Sequence, residues 1–189
     1  MSLKHAILGF LSFTPLSGYD LKKAFDNSVR HFWPANQSQI YRTLAQLEEE
    51  GFVTKEVIER EERLDLKLYH ISEAGRVEIH RWLSTPLPEQ DSREPFLIQV
   101  YFGGRLPDED LLPLLRRELH VTEERLGVYE AIYAANRHRT SAIADERAVF
   151  LSLLTLEVGY TTNQAIAQWL RTAVARLETH DYTIHIGEQ

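Results

Sequence analysis

The chain has 189 residues, 43% hydrophobic and 26% charged, which is the balance of a soluble globular protein with one or two small domains and excludes wholesale disorder. It contains no cysteine, which excludes disulfides and thiolate metal sites, and no apolar run near the roughly 20 residues needed to span a bilayer. The net charge of −7 argues against a nucleic-acid partner for the chain as a whole, but residues 84 to 189 carry most of it.

Residues 1 to 83 hold 11 Lys and Arg against 12 Asp and Glu, a net of −1, and residues 84 to 189 hold 10 against 16, a net of −6. All five lysines lie at or before Lys67, so the first half can still present a locally basic face. The opening "MSLKHAILGFLSFTPLSGYD" is interrupted by Lys4 and His5 and has no small-residue cleavage pattern, so it is not read as a signal peptide. A cytoplasmic protein with no membrane partner is the expectation.

Leu3, Ala6, Ile7, Phe10 and Leu11 recur at three and four, predicting a first helix ended by Thr14-Pro15. Ser17 caps a second helix, with Asp20 in a capping-box position and Leu21, Ala24, Phe25 and Val29 as its apolar stripe. Lys22 and Lys23 point the other way. In "NQSQIYRTLAQLEEEGFV", Asn36 is an N-cap, Gln39 can close a capping box, and Gly51 supplies the stop. Ile40, Leu44 and Leu47 form the buried stripe, opposite Ser38, Gln39, Arg42 and Gln46.

Residues 52 to 59 and 66 to 71 alternate and flank the charged "REERLD", predicting a β-hairpin. Ser72 caps a fourth helix through about Leu83. Three helices and a two-stranded hairpin spell a winged helix-turn-helix, with the third helix as recognition helix and the hairpin as wing. This mainly α reading assigns residues 1–84 to a DNA-binding domain, 85–95 ("TPLPEQDSREP") to a linker, and 96–180 to a long-helix dimerisation domain.

Within that last segment a short apolar helix, "FLIQVYFGG", precedes a long one over 108 to about 136. Its seam runs Leu112, Leu115, Leu119, Thr122, Leu126, Tyr129 and Tyr133. A second seam runs from Val149 through Leu153, Leu156, Tyr160, Asn163, Ala167 and Leu170 to Leu177, widened by Phe150, Leu154, Ile166, Trp169 and Ala173. Two readings stay open, a small bundle within one chain and a dimerisation domain sharing Leu115, Leu119, Leu126, Leu153, Leu156, Tyr160 and Leu170 with a second subunit. The tail "HDYTIHIGEQ" has no helical signal and is expected to be loose.

For Gln39 and Arg42 a solvated helix face competes with base-edge readout, in which Gln pairs with adenine and Arg with guanine. Tyr41 either donates to a phosphate or packs on the second helix. Ser38 and Asn36 lie where helix N-terminal N–H groups meet phosphate. Lys22, Lys23, Arg63 and Lys67 are candidate phosphate contacts. The run "LEEE" at 47 to 50 should lie away from a duplex, and Glu48 is read as structural. The eight histidines form no H-x-x-x-H or H-E-x-x-H pattern, and no Walker, G-x-S-x-G or dinucleotide-binding glycine motif occurs, so no metal, cofactor or catalytic activity is expected.

"IYRTLAQLEEEGFV" followed by "LKLYHISEAGR" resembles the signature of the PadR family of winged-helix transcriptional regulators. The match rests on Tyr41, Leu44, Leu47, Glu48, Gly51, Tyr69, Ser72 and Gly75, with "GYDL" at 18 to 21 and "FWPANQSQIY" at 32 to 41 in support. The latter, with "AIAQWLRTAVARLE", is similar to the branch with a virulence-activator-like helical C-terminal domain. The resemblance implies a homodimeric regulator, most often a repressor, on a roughly palindromic operator, with Tyr41 on a phosphate. It also implies aromatic small-molecule effectors, for which Trp33, Trp82, Tyr101, Phe102 and Trp169 are the candidate contacts. One departure is the wing, where "EREERLDLK" replaces the usual basic cluster and should hold phosphate weakly. A protein-interaction adaptor and a small-molecule sensor without DNA binding remain as alternatives.

Overall fold

The computed structural model describes residues 2–59, 65–89, 93–136, 145–184 and 186. The chain divides into two compact units, Met1–Gln90 and Asp91–Gln189. The first contains α1 (Ser2–Phe13), β1 (Leu16–Ser17), α2 (Gly18–Asn27), a 3-10 turn (Val29–His31), α3 (Gln37–Glu49), β2 (Val53–Ile58), β3 (Leu66–Ile71) and α4 (Glu73–Leu83). The second contains α5 (Pro95–Phe102), a 3-10 turn (Gly103–Arg105), α6 (Asp108–Asn136) and α7 (Glu146–Glu178).

Helix spacing puts Ile7, Leu8 and Leu11 of α1, Leu21 and Phe25 of α2, and Ile40, Leu44 and Leu47 of α3 on facing stripes. All are buried in one core with Val53, Tyr69 and Ile79. Val29, expected on the α2 stripe, falls instead in the 3-10 turn, because α2 stops at Asn27. Ser17 caps α2 as expected, but Asp20 reaches back to the Ser17 hydroxyl (2.6 Å) rather than to its backbone.

The expected hairpin is present, with β2 and β3 antiparallel from Val53↔Ile71 to Ile58↔Leu66. A third strand was not foreseen: β1 pairs with β3 through Leu16↔Tyr69 and Ser17↔Leu68, giving the order β1-β3-β2. The Ser72 and Gly75 positions of the motif now have a physical role. Ser72 Oγ donates to the Gly51 carbonyl (2.7 Å) and accepts from the Gly75 N–H (3.1 Å). Gly75 also lets α4 press on the chain entering β2, since a Cβ there would stand 2.2 Å from the Phe52 carbonyl oxygen.

In the second unit α6 and α7 lie antiparallel, as shown by cross-pairs that step in opposite directions. Arg116 donates to Glu178 (2.5 Å), Arg171 to Glu123 (2.7 Å), Arg125 to Asn163 (3.2 Å) and Tyr160 to Glu130 (3.2 Å). At the start of the tail, Tyr182 donates to Asp108 at the start of α6 (2.7 Å). That carboxylate raises the Tyr182 phenol pKa by favouring its protonated form.

The seam residues expected at a subunit interface are used inside one chain. Leu115, Leu156 and Leu170 are buried, and Leu119, Leu126, Leu153 and Tyr160 half-buried, along the α6–α7 seam. Because α7 runs antiparallel along α6, the two seams meet each other. What stays exposed is a second apolar stripe on the far side of α7, formed by Leu151, Leu154, Val158, Ile166 and Trp169.

Candidate nucleic-acid interface

The exposed face of α3 carries Ser38, Gln39, Tyr41, Arg42 and Gln46, as helical spacing from the buried Ile40–Leu44–Leu47 stripe requires. Their side chains are not equally available. Gln39 Oε1 accepts from the Asn36 N–H (2.9 Å) while the Gln39 N–H donates to Asn36 Oδ1 (2.9 Å), completing the capping box. Bidentate pairing with adenine needs both ends of the Gln39 amide, so it would draw on an oxygen already holding the cap. Gln46 Nε2 donates to Glu50 Oε1 (2.7 Å), and Lys4 donates to the other Glu50 oxygen (2.6 Å). Those two bonds hold the Glu50 carboxyl below the usual range, with Lys4 the larger cause. Gln46 is thus drawn to the acidic end of α3.

Arg42 and Ser38 differ from these neighbours, since neither side chain has a hydrogen bond or ion pair among the described residues. Tyr41 packs on α2 and keeps 41% of its surface exposed. A Cβ at Gly18 would stand 2.4 Å from the Tyr41 ring and 2.9 Å from its hydroxyl oxygen. Gly18 therefore seats the ring and brings the hydroxyl to the N-terminus of α2, where N–H groups favour an anion. Gly18 belongs to the "GYDL" match, and its role as the seat of Tyr41 has no signal in the sequence alone.

The cations of the first unit divide in the same way. Lys4 pairs with Glu50, Lys22 with Asp26, Lys55 with Glu48 and Arg81 with Glu78. Glu48 is accordingly structural. Lys23 on α2, Arg42 on α3 and Lys67 on β3 have no ion-pair partner among the described residues, nor do Arg30 and Arg76. Three of the candidate contacts are thus unneutralised charges, whereas Lys22 is committed to Asp26. Arg63 lies outside the described residues.

Trp33 and Trp82 line one open cleft of about 620 Å³ in the first unit, together with Phe13, Phe32, Arg76 and His80. At its edge His5 stacks on Trp82 with ring centroids 4.5 Å apart and lies 3.0 Å from Glu78 Oε1. Arg81 donates twice to the same carboxylate, and together these bonds lower the Glu78 pKa to about 2, Arg81 contributing most. In the second unit Tyr101 and Phe102 meet edge to face at 5.0 Å, and Trp169 meets Phe96 at 6.4 Å. Trp33 and Trp82 thus share a cleft within the first unit, while Tyr101, Phe102 and Trp169 belong to the second. Among the described residues no cluster of three or more His, Asp or Glu could hold a metal ion, and no helix is long and apolar enough to cross a membrane.

Comparison with known proteins bears on both units. A model of the transcriptional regulator PadR-like family matches residues 7–81, and one of the virulence activator alpha C-terminal domain matches residues 92–178. The negative transcriptional regulator PadR of Bacillus subtilis is 30% identical over 182 residues, which is 93% of this chain and 97% of that protein. Its crystal structure with operator DNA superposes with a TM-score of 0.79 at 29% identity, covering 94% of this chain and 99% of that one. Its structure with p-coumaric acid gives 0.76 at 28% identity, covering 93% and 95%. The Vibrio cholerae virulence activator AphA gives 0.76 at 28% identity, covering 94% and 99%.

Proposed function

The chain belongs to the PadR-like family of transcriptional regulators, and from that premise we propose that it is a cytoplasmic repressor binding a roughly palindromic operator as a homodimer and released by an aromatic small molecule. The observation that carries the DNA reading is the α3 face. Arg42 is held there on a helix with no hydrogen-bond or ion-pair partner among the described residues, one position after the seated Tyr41, and Lys23 of α2 and Lys67 of β3 likewise have no ion-pair partner there. Arg42 reads a guanine edge, Tyr41 and Ser38 take phosphates at helix N-termini, and Lys23 and Lys67 add phosphate charge without sequence preference. Gln39 serves first as the cap. Two such faces on a dimer would enter successive major grooves roughly 34 Å apart.

The effector belongs in the aromatic cleft of the first unit. Phe13, Phe32, Trp33 and Trp82 supply apolar walls, while Arg76 and His80 supply positive or hydrogen-bonding groups, and no carboxylate is among the lining residues. An aromatic carboxylate is the ligand class such walls fit, and p-coumaric acid, held by the B. subtilis relative, is of that class. Fluorescence anisotropy against the duplex upstream of the protein's own gene and a shuffled duplex, at two salt concentrations, tests the reading. Selective binding that falls with salt and with added aromatic acid is expected. An intact dimer with no binding at low salt would transfer the protein to the adaptor class.

A further inference from the structure

Between the C-terminal half of α6 and the N-terminal half of α7 lies a second cavity, of about 470 Å³, whose chemistry is opposite to that of the first. Tyr129 and Tyr133 come from successive turns of α6 and Tyr160 from α7, with Leu153 and Leu156 as the apolar floor. Tyr129 is 5% exposed and reaches its position because α7 has a glycine opposite it. A Cβ at Gly159 would stand 3.0 Å from the Tyr129 hydroxyl and ring. The two charged groups in the lining are both carboxylates, Glu130 and Glu157. Glu130 accepts from the Tyr160 hydroxyl (3.2 Å), which orients that ring, and Glu157 has no hydrogen bond or ion pair among the described residues.

We propose that this α6–α7 cavity is a binding site for an organic cation, an ammonium group carried on an apolar or aromatic body. Ring faces attract a cation through their quadrupole, most strongly where water is excluded, and the two carboxylates add a field of the same sign. An anion would meet repulsion from both glutamates and gain no donor beyond the tyrosine hydroxyls. A cavity of this size is in the range that holds small organic ligands. The site does not depend on the aromatic-acid cleft, so a chain carrying both would answer to ligands of two opposite charges at two places.

Phenyltrimethylammonium, its neutral isostere tert-butylbenzene and the anion benzoate would be titrated into the full-length protein and followed by ligand-observed NMR. The cation is expected to bind about tenfold more tightly than the neutral isostere, the scale of a partly desolvated cation–π contact, and benzoate not to compete. Glu157→Gln and Tyr133→Leu, both at exposed positions, should each remove most of that preference and leave the helical circular dichroism unchanged. Equal affinity for cation and isostere, no binding of either, or a cation preference that survives both substitutions would overturn the proposal.

Discussion

Leu21, Ile40, Leu44 and Leu47 in the first unit are fully buried, and that unit finishes its core with its own helices and sheet. In the second unit, α7 is apolar on two sides, and among the described residues α6 runs along one of them while α5 reaches the other only through Phe96 against Trp169. One side, with Leu156, Ala167 and Leu170, is buried on α6, and the other, with Leu154, Val158 and Trp169, is exposed. A pair of helices can bury one seam between them. A second apolar stripe on the same helix calls for another surface, which supports the homodimer without placing it at the residues first expected. The first unit should therefore tolerate isolation, and the second should depend on its partner copy.

Breaking this contrast requires charge on the exposed stripe. Leu154→Glu combined with Val158→Glu should convert the dimer to monomer in sedimentation analysis while the α6–α7 seam stays folded. Central apolar anchors of an interface contribute about 2 kcal/mol or more each, so the pair should shift the dimer equilibrium by orders of magnitude. Operator affinity would fall with it. Retention of the dimer would mean that the stripe faces water and that another surface joins the copies.

Arg42→Ala should cost about 1–3 kcal/mol at the cognate site and flatten preference at one base pair, read from binding to a panel of single-base operator variants. Lys67→Ala should instead weaken all duplexes about equally and reduce the salt slope by about one. An unchanged preference profile would remove Arg42 from direct readout. Gly18→Ala acts one step back, because its Cβ would collide with the Tyr41 ring. Overpacking of this kind costs about 1–3 kcal/mol, and Tyr41→Ala in the Gly18→Ala background should restore thermal stability without restoring DNA affinity.

Sequence reasoning reached what is local. The Asn36–Gln39 capping box, the stop at Gly51 and the β3 strand at 66–71 follow from side-chain spacing alone, whereas the family was reached by resemblance of the Tyr41–Gly75 motif to a known signature. Three things were out of reach for physical reasons. β1 is two residues long and exists only through pairing with β3, which is remote in the chain. The choice of Gln39 and Gln46 for internal bonds, and of Arg42 for none, is a matter of rotamers and of neighbours such as Lys4 and Glu50. Helix periodicity showed one wide apolar seam on α7, but not that α6 covers only part of it and leaves Leu154, Val158 and Trp169 exposed.

Acid separates the units by a different route. The Glu78 carboxyl has a folded pKa of about 2, below the ordinary carboxylate value, so the unfolded chain binds more protons in the window between them. Stability from Glu78 is therefore fully present above about pH 4.5 and is lost as pH falls toward about 2. Glu78→Gln should lower the first unit's stability by on the order of 1 kcal/mol at pH 6, with the difference from wild type closing across that window in urea titrations. The exposed Arg171–Glu123 pair of the second unit should show less, and Glu123→Gln should change stability by under about 1 kcal/mol and not at all in high salt.

The smallest effect sharpens the contrast most directly. Gly127 lies inside α6, and a Cβ there would meet nothing within 4 Å in the isolated chain. Replacing a solvent-facing glycine in a helix interior by alanine removes freedom from the unfolded chain and should stabilise by about 0.5–1 kcal/mol. That gain, measured by thermal unfolding at fixed protein concentration, is expected if the second copy sits on the α7 stripe and leaves the outer face of α6 in water. If Gly127→Ala instead weakens the dimer, the partner must press on α6 at this position, and the glycine would be an interface residue as close-packed as Gly18 is against Tyr41. The same substitution chemistry thus has opposite expected signs in the two units, set by whether a neighbour already occupies the space.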